Sequence, residues 1–199
     1  MLQCLAIMEI IWHGQNCFTF KGTSATVVTD PYSGIGTLKA DMVTVSQDDP
    51  KFNALTKIEG APRIFDWPGE YEASGVLVMA IDCGGKRIFH IEMEGIRFLH
   101  LGTLNTQLTE SMIEQLGEVD VLLIPVGGGD ALDAKGAHEV IEQIEPRIVI
   151  PMGYQSGGVE PFLKEIGAHM EPQDKFVIKG RGSLPEETTQ FVVLNPQLE

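Results

Sequence analysis

Positive charge is scarce in this sequence of 199 residues, where 14 Lys and Arg stand against 28 Asp and Glu for a formal net charge of −14. The acidic residues are spread along the chain, so its average field repels phosphate backbones and excludes nucleic acid as a general partner. Cysteine is scarce too. Cys4, Cys17 and Cys83 cannot all pair, lie far apart, and show none of the close Cys or His spacings that close a zinc site. A disulfide scaffold is thereby excluded, and a reducing cytoplasm is the expected location. No apolar run approaches the ~18 residues needed to cross a bilayer, so no membrane partner is expected. The opening Met1 to Met8 is apolar, but it lacks a positive n-region and is too short for a signal h-region, so it predicts no export.

What is present is ordinary for a folded protein, with 43% hydrophobic and 21% charged residues. The length predicts one domain over residues 1–199, with 1–8 as an extension, and a homo-oligomer is compatible with it. The first sixty residues punctuate as a β-rich half. Glu9 to Trp12, Cys17 to Phe20, Ala25 to Thr29 and Met42 to Val45 are short runs rich in β-branched or aromatic residues, separated by Gly14, Gly22, Gly34, Gly36 and Asp30-Pro31. Arg63 to Phe65 reads as a further strand and Pro68-Gly69 as a turn. Gly75 to Ile81, Arg87 to Met93 and Ile96 to Leu101 then predict an antiparallel meander.

After His100 the period changes. Glu110 to Leu116 has helical spacing between a cap at Thr109 and a stop at Gly117, and Asp133 to Ile144 forms a second helix ended by Pro146. Pro161 to Ile166 is a third. Val119 to Ile124 and Ile148 to Ile150 are continuous apolar runs, as strands covered on both faces require. Phe176 to Lys179 and Phe191 to Leu194 read as closing strands. The pattern supports an α/β or α+β layered fold.

The phrase Ile11-Trp12-His13-Gly14-Gln15-Asn16-Cys17-Phe18, followed by Val27-Val28-Thr29-Asp30-Pro31-Tyr32, carries a sharper signal. With it go Pro68-Gly69-Glu70-Tyr71-Glu72, His100-Leu101-Gly102, Asp120 to Gly128 with Leu132-Asp133, and Pro146 to Met152 with Tyr154. In this order the phrases resemble the metallo-β-lactamase-fold hydrolases, in the branch that contains the ascorbate-phosphate lactonases, and they span nearly the whole chain. The resemblance implies a four-layer αββα sandwich, with pseudo-twofold halves joined near His100 to Thr109.

It also implies a Ser-His-x-His-x-Asp-His metal segment, and here this chain departs from the pattern. The matching segment is Ser46-Gln47-Asp48-Asp49-Pro50-Lys51-Phe52. Gln47 and Asp49 stand at the first two His positions, Lys51 at the Asp and Phe52 at the third His; the bridging carboxylate falls on Thr103 and a later His on Gly153. The Gly-His near the N-terminus reads Gly14-Gln15, and the loop Asp82 to Lys86 is short and has no His. Zinc needs imidazole nitrogen or anionic donors at about 2.0 to 2.3 Å. The expected site therefore has no catalytic residues, no metal and no cofactor, and Gln47, Asp48, Asp49, Lys51, Phe52, His100, Thr103 and Gly153 are vestigial cleft positions, with Phe52 as filler. The expected function is a metal-free, inactive binding or interaction module. The alternative is a metal-dependent hydrolase-like enzyme with a non-standard site, acting on a small anionic or ester or lactone substrate.

Other candidates weigh less. Gln47, Asp48 and Asp49 could hold Mg²⁺ or Ca²⁺, but a capped, solvated loop is the simpler reading, and Lys51 opposes a cation. Gly127-Gly128-Gly129 lacks the residues of a phosphate loop and reads as a turn with positive φ. Glu70 and Glu72 share a face without further sign of acid–base work. Cys17 and Cys83 have no nucleophile context, and Ser46 reads as a turn former. His13, His90, His138 and His169 have no metal spacing, and His100 reads as a hydrogen-bonded structural residue. Lys51, Lys57, Arg63 and Lys86 are the cations that could converge on a basic pocket.

Overall fold

A computed structural model describes residues 7–154 and 158–198. Cys4, and the part of the expected extension up to residue 6, lie outside the described residues.

Two sheets pack face to face. The first contains β1 (Met8–Trp12), β2 (Phe18–Lys21), β3 (Thr26–Thr29), β5 (Met42–Thr44), β7 (Arg63–Phe65) and β14 (Phe176–Ile178), in the order β14-β1-β2-β3-β5-β7. The second contains β8 (Gly69–Ala73), β9 (Val76–Asp82), β10 (Arg87–Met93), β11 (Ile96–His100), β12 (Val121–Pro125), β13 (Ile148–Met152) and β15 (Gln190–Phe191), in the order β15-β13-β12-β11-β10-β9-β8. A ribbon of β4 (Leu38–Lys39) and β6 (Ile58–Glu59) lies apart from both. The helices are α1 (Glu110–Leu116), α2 (Ala134–Ile144) and α3 (Glu160–Glu165).

Alternation along the strands explains the layers. Phe18, Phe20, Phe98, Val121, Leu123 and Ile150 fill the space between the sheets, where the Phe20 and Phe98 rings approach to 4.7 Å. Their neighbours Leu99, Leu122, Ile124 and Val149 face the other way, onto Ala137, Val140 and Ile141 of α2 and Phe162 and Leu163 of α3. A strand buried on both faces must be apolar at every position, which is why Val121 to Ile124 shows no alternation. The outer face of the first sheet is covered more thinly. Val28, Val43 and Val45 pack with Ile35 and Ala40, and against Leu55 and Ile58 of a short 3-10 turn and its ribbon.

The helix ends follow the expected chemistry. Thr109 Oγ1 accepts from Met112 N and Asp133 Oδ1 from Gly136 N, and α2 stops at Glu145, in a left-handed conformation just before Pro146. Among the described residues no helix is long and apolar enough to cross a membrane.

The fold is the layered α/β sandwich that the sequence predicts, with two differences in detail. Gly69 opens the edge strand β8 and is not the second half of a turn. The change of sheet falls between Phe65 and Gly69 and not near His100 to Thr109. The meander β8 to β11 already belongs to the second sheet, and the parallel strands β12 and β13 extend it on the far side. The change of pattern at His100 thus marks the entry of helices and not a change of sheet.

Candidate functional site

β3 and β5 run parallel in the first sheet, as do β11, β12 and β13 in the second, so their following loops gather at the same ends of their sheets. The carboxyl ends of parallel strands are where such folds build clefts. One hydrogen bond joins the two loop sets: Thr103 Oγ1, after β11, donates to Gln47 Oε1, after β5, at 3.1 Å. The loops meet closely because position 102 is glycine. A Cβ there would stand 2.6 Å from Ser46 Cβ on a backbone with φ +54°, which favours glycine.

Beneath this junction lies a buried polar hub. Asp30, in the turn after β3, takes a 2.6 Å hydrogen bond from Ser46 N on Oδ1 and a 2.7 Å bond from Ser46 Oγ on Oδ2. Arg87 N donates to Ser46 O and its Nε to Val45 O, so the second sheet also holds this corner. Burial pushes the Asp30 carboxyl from 3.8 up to about 7, against the pull of the Ser46 hydrogen bonds and the Arg87 charge. Ser46, fully buried on this carboxyl, acts as a strut for the loop Gln47 to Phe52 and is not exposed as a nucleophile.

His100 lies at the same level. Its Nε2 faces the Asn16 carbonyl oxygen at 2.9 Å and must carry the proton, which leaves Nδ1 bare and buried without a partner among the described residues. Burial lowers its pKa from 6.5 to about 4, with the Asn16 carbonyl opposing. Asn16 Nδ2 is likewise buried and unpaired among the described residues.

The two titrating groups of this hub act in opposite directions on stability. The fold holds the Asp30 proton more tightly than the unfolded chain, so that contribution is full below 3.8 and falls as pH rises to about 7. The fold resists protonation of His100, so that contribution is full above 6.5 and falls as pH drops to about 4. At ~1.4 kcal/mol per unit the swing is about 4 kcal/mol for Asp30 and about 3 kcal/mol for His100, so the two largely offset each other. Urea unfolding of the native protein should therefore vary little between about pH 4 and 7 through these groups, while Asp30→Asn should gain stability with rising pH and His100→Gln should lose it. A flat profile in Asp30→Asn would show that His100 does not titrate as the structure implies.

The residues singled out in the sequence are brought together only in part. Gln47 and Thr103 touch. Asp48 Oδ1 accepts from Asn53 Nδ2 and Asp49 Oδ1 from Lys51 N, so both carboxylates cap their own turn. Phe52 is 9% exposed and Lys51 is exposed. Gly153 has φ +69°, and a Cβ there would stand 3.1 Å from Asn16 Oδ1. Of the cations, Lys86 alone is anchored at this junction: its Nζ donates to Thr103 O at 2.7 Å and to Asp130 O at 2.9 Å. Glu70 and Glu72 are exposed on β8, and Gly128 and Gly129 have φ +70° and +68° in the turn before α2. Cys17 and Cys83 are free thiols, each with its pKa raised chiefly by burial, which leaves neither activated. Sequence reasoning missed the hub of Asn16 and Asp30, although both stand in the phrases that carried the resemblance.

Among the described residues no three His, Cys, Asp or Glu side chains converge as a metal site. The Thr103 hydroxyl is already donated to Gln47, and Gly153 offers no side chain. These residues do not fit tetrahedral zinc, and a hard cation at Gln47, Asp48 and Asp49 would compete with the hydrogen bonds that Gln47 Oε1 and the two Oδ1 atoms now accept.

Residues 9–153 match the family model described as the beta-lactamase superfamily domain. A UPF0173 protein of Pyrococcus furiosus is 28% identical over 199 residues, covering 80% of this chain and 90% of its own length. A UPF0173 metal-dependent hydrolase of Thermoplasma acidophilum is 28% identical over 192 residues, covering 75% of this chain and 84% of its own. A candidate zinc-dependent hydrolase of the metallo-beta-lactamase superfamily from Thermotoga maritima superposes with a TM-score of 0.81 at 33% identity, covering 94% of this chain and 98% of that one. These findings overturn the expectation of a metal-free, inactive binding module, because the relatives are named as hydrolases and nothing among them points to an interaction protein. That expectation rested on substituted ligand positions, which say what a site has exchanged and not what its remaining groups do.

Proposed function

This chain belongs to the beta-lactamase superfamily, and from that membership we propose that it is a hydrolase of small ester, lactone or related anionic substrates, acting from a non-standard site at the Gln47–Thr103 junction. The relatives' names supply the reaction class. The observation that carries the reading to this chain is the anchored cation. Lys86 Nζ spends two of its three N–H groups on the carbonyls of Thr103 and Asp130, which fixes a positive charge beside the junction and leaves one N–H to donate.

A fixed donor of this kind stabilises the negative charge that develops on a carbonyl oxygen under attack. Gln47 Oε1 is occupied by Thr103, so its amide NH₂ is the group that orients a substrate oxygen. Asp49, half-buried two residues further on, has Oδ1 bound to Lys51 N and Oδ2 available. In the proposed step Asp49 takes a proton from water as the water oxygen bonds to the carbonyl carbon. The oxyanion forms against Lys86, the C–O bond to the alcohol breaks, and the alcohol leaves with the proton returned by Asp49. Because the residues present do not fit zinc, no part of this sequence runs through a metal.

The test is a panel of 4-nitrophenyl acetate, a γ-lactone and a carboxylate-bearing ester, each assayed in EDTA and with added Mg²⁺, Mn²⁺ or Zn²⁺. Turnover above background is expected for at least one of them, in EDTA as well as with added metal. Absence of turnover across the panel in every metal condition would overturn the reading. The free thiols of Cys17 and Cys83 are consistent with a cytoplasmic location, which we propose alongside it.

A further inference from the structure

We infer that the cleft framed by Trp12, Tyr32, Tyr154, Val193 and Leu198 is a subsite for a neutral aromatic or branched apolar group of the substrate, an inference that rests on the hydrolase reading above. The cleft holds about 490 Å³ and adjoins the site through Gln15, whose carbonyl accepts from Gly153 N at 3.0 Å, and through Tyr154, the next residue along. This volume falls within the range of small-molecule sites.

One wall of the cleft is held by hydrogen bonds to the main chain. Trp12 Nε1 donates to Gln15 O at 3.0 Å, Tyr32 Oη to His13 O at 2.9 Å, and the Trp12 and Tyr154 rings lie 4.9 Å apart. With the indole N–H and the Tyr32 hydroxyl proton committed to backbone, half-buried Tyr32 offers a ligand mainly its ring surface, and Trp12, 3% exposed, only a small part of its indole. Tyr32 can enter only because residue 14 is glycine: a Cβ there would stand 2.8 Å from its hydroxyl, on a backbone with φ +92°. Glu160 is the one charged side chain among the described residues lining the cleft, and it disfavours a carboxylate on the bound group. The larger cavity of about 630 Å³ beside Glu142, Glu145, Glu186 and Glu187 lies at the other end of β13, away from the junction.

The protein has two tryptophans, and Trp67 is exposed, so Trp67→Phe leaves Trp12 as the reporter. In that background the non-hydrolysable probe N-benzylacetamide should change Trp12 emission saturably and bind at least fivefold more tightly than phenylacetate. Leu198→Ala should weaken the amide at least threefold, and Glu160→Gln should bring the amide and the acid to within about twofold of each other. Lys86→Met should leave amide binding unchanged. No saturable response, or an affinity unaltered by Leu198→Ala, would overturn the subsite. Ester turnover without amide binding would remove the subsite and leave the hydrolase reading intact, whereas amide binding without turnover would support the pocket and overturn that reading.

Discussion

Lys86→Met should lower kcat/KM for the best ester of the panel about 100-fold while shifting the melting temperature by no more than a degree or two. The magnitude is that of removing one preorganised oxyanion donor, on the order of 10² to 10³ in rate. Met keeps the length and apolar stem of Lys but has neither charge nor N–H. The side chain is only half-buried, and its two hydrogen bonds end on carbonyls in loops that face water, so water can replace it at small cost to the fold. Lys86→Arg should recover little, because a guanidinium is planar and cannot place its donors on both carbonyls as an ammonium does. The loss should appear in kcat more than in KM, since the oxyanion exists only near the transition state. If Lys86→Met keeps native kcat/KM, the anchored cation has no part in the chemistry and the site must be sought elsewhere in the cleft.

Much of the architecture can be read directly from the chain, and the reasons differ from element to element. Val121 to Ile124 announces a strand buried on both faces because every position must be apolar, and Leu122 and Leu123 do point into different cores. β8 escaped because an edge strand need satisfy only one neighbour. Its Glu70 and Glu72 face solvent and Gly69 reads as a turn, so nothing local marks it. The candidate site was legible only in its positions. Asp30 and Ser46 are sixteen residues apart and meet because β3 and β5 lie side by side in parallel, a fact of topology that neither residue encodes. Lys86 could be named from sequence as a cation in a shortened loop. Its anchors, however, are main-chain carbonyls of Thr103 and Asp130, and a carbonyl acceptor leaves no trace in residue identity. The functional expectation failed for a related reason: the imidazoles missing from Ser46 to Phe52 could be counted, whereas the groups set in their place acquire meaning only once the loops have met.

Asp120→Ala should destabilise the fold by about 3 kcal/mol without altering the chemistry of the site, because it empties the centre of an ion network at the opposite end of β12. Asp120 is 1% exposed and sits just before the first residue of that strand. Oδ2 accepts from Arg97 N at 2.9 Å and pairs with Arg97 Nε at 3.4 Å, while Oδ1 pairs with Arg147 Nε at 3.4 Å and Arg181 Nε at 3.3 Å. Glu118 bridges Arg97 and Arg181 from the solvent side. Three guanidiniums thus converge on one buried carboxylate, and two of them come from segments far along the chain, so the cluster ties the C-terminal stretch to the second sheet. Removing the charge from a buried pair typically costs about 3 to 5 kcal/mol, and the partial exposure of Arg147 and Arg181 places this case at the low end. For a chain of this size that corresponds to a fall in melting temperature of roughly 6 to 12 °C. Glu118→Gln is the control: its side chain is 73% exposed, and its loss should be worth less than about 1 kcal/mol. Ester turnover per folded molecule, measured well below the transition, should match the native protein in both variants. A melting temperature for Asp120→Ala within two degrees of native would show that water, not Asp120, satisfies the arginines.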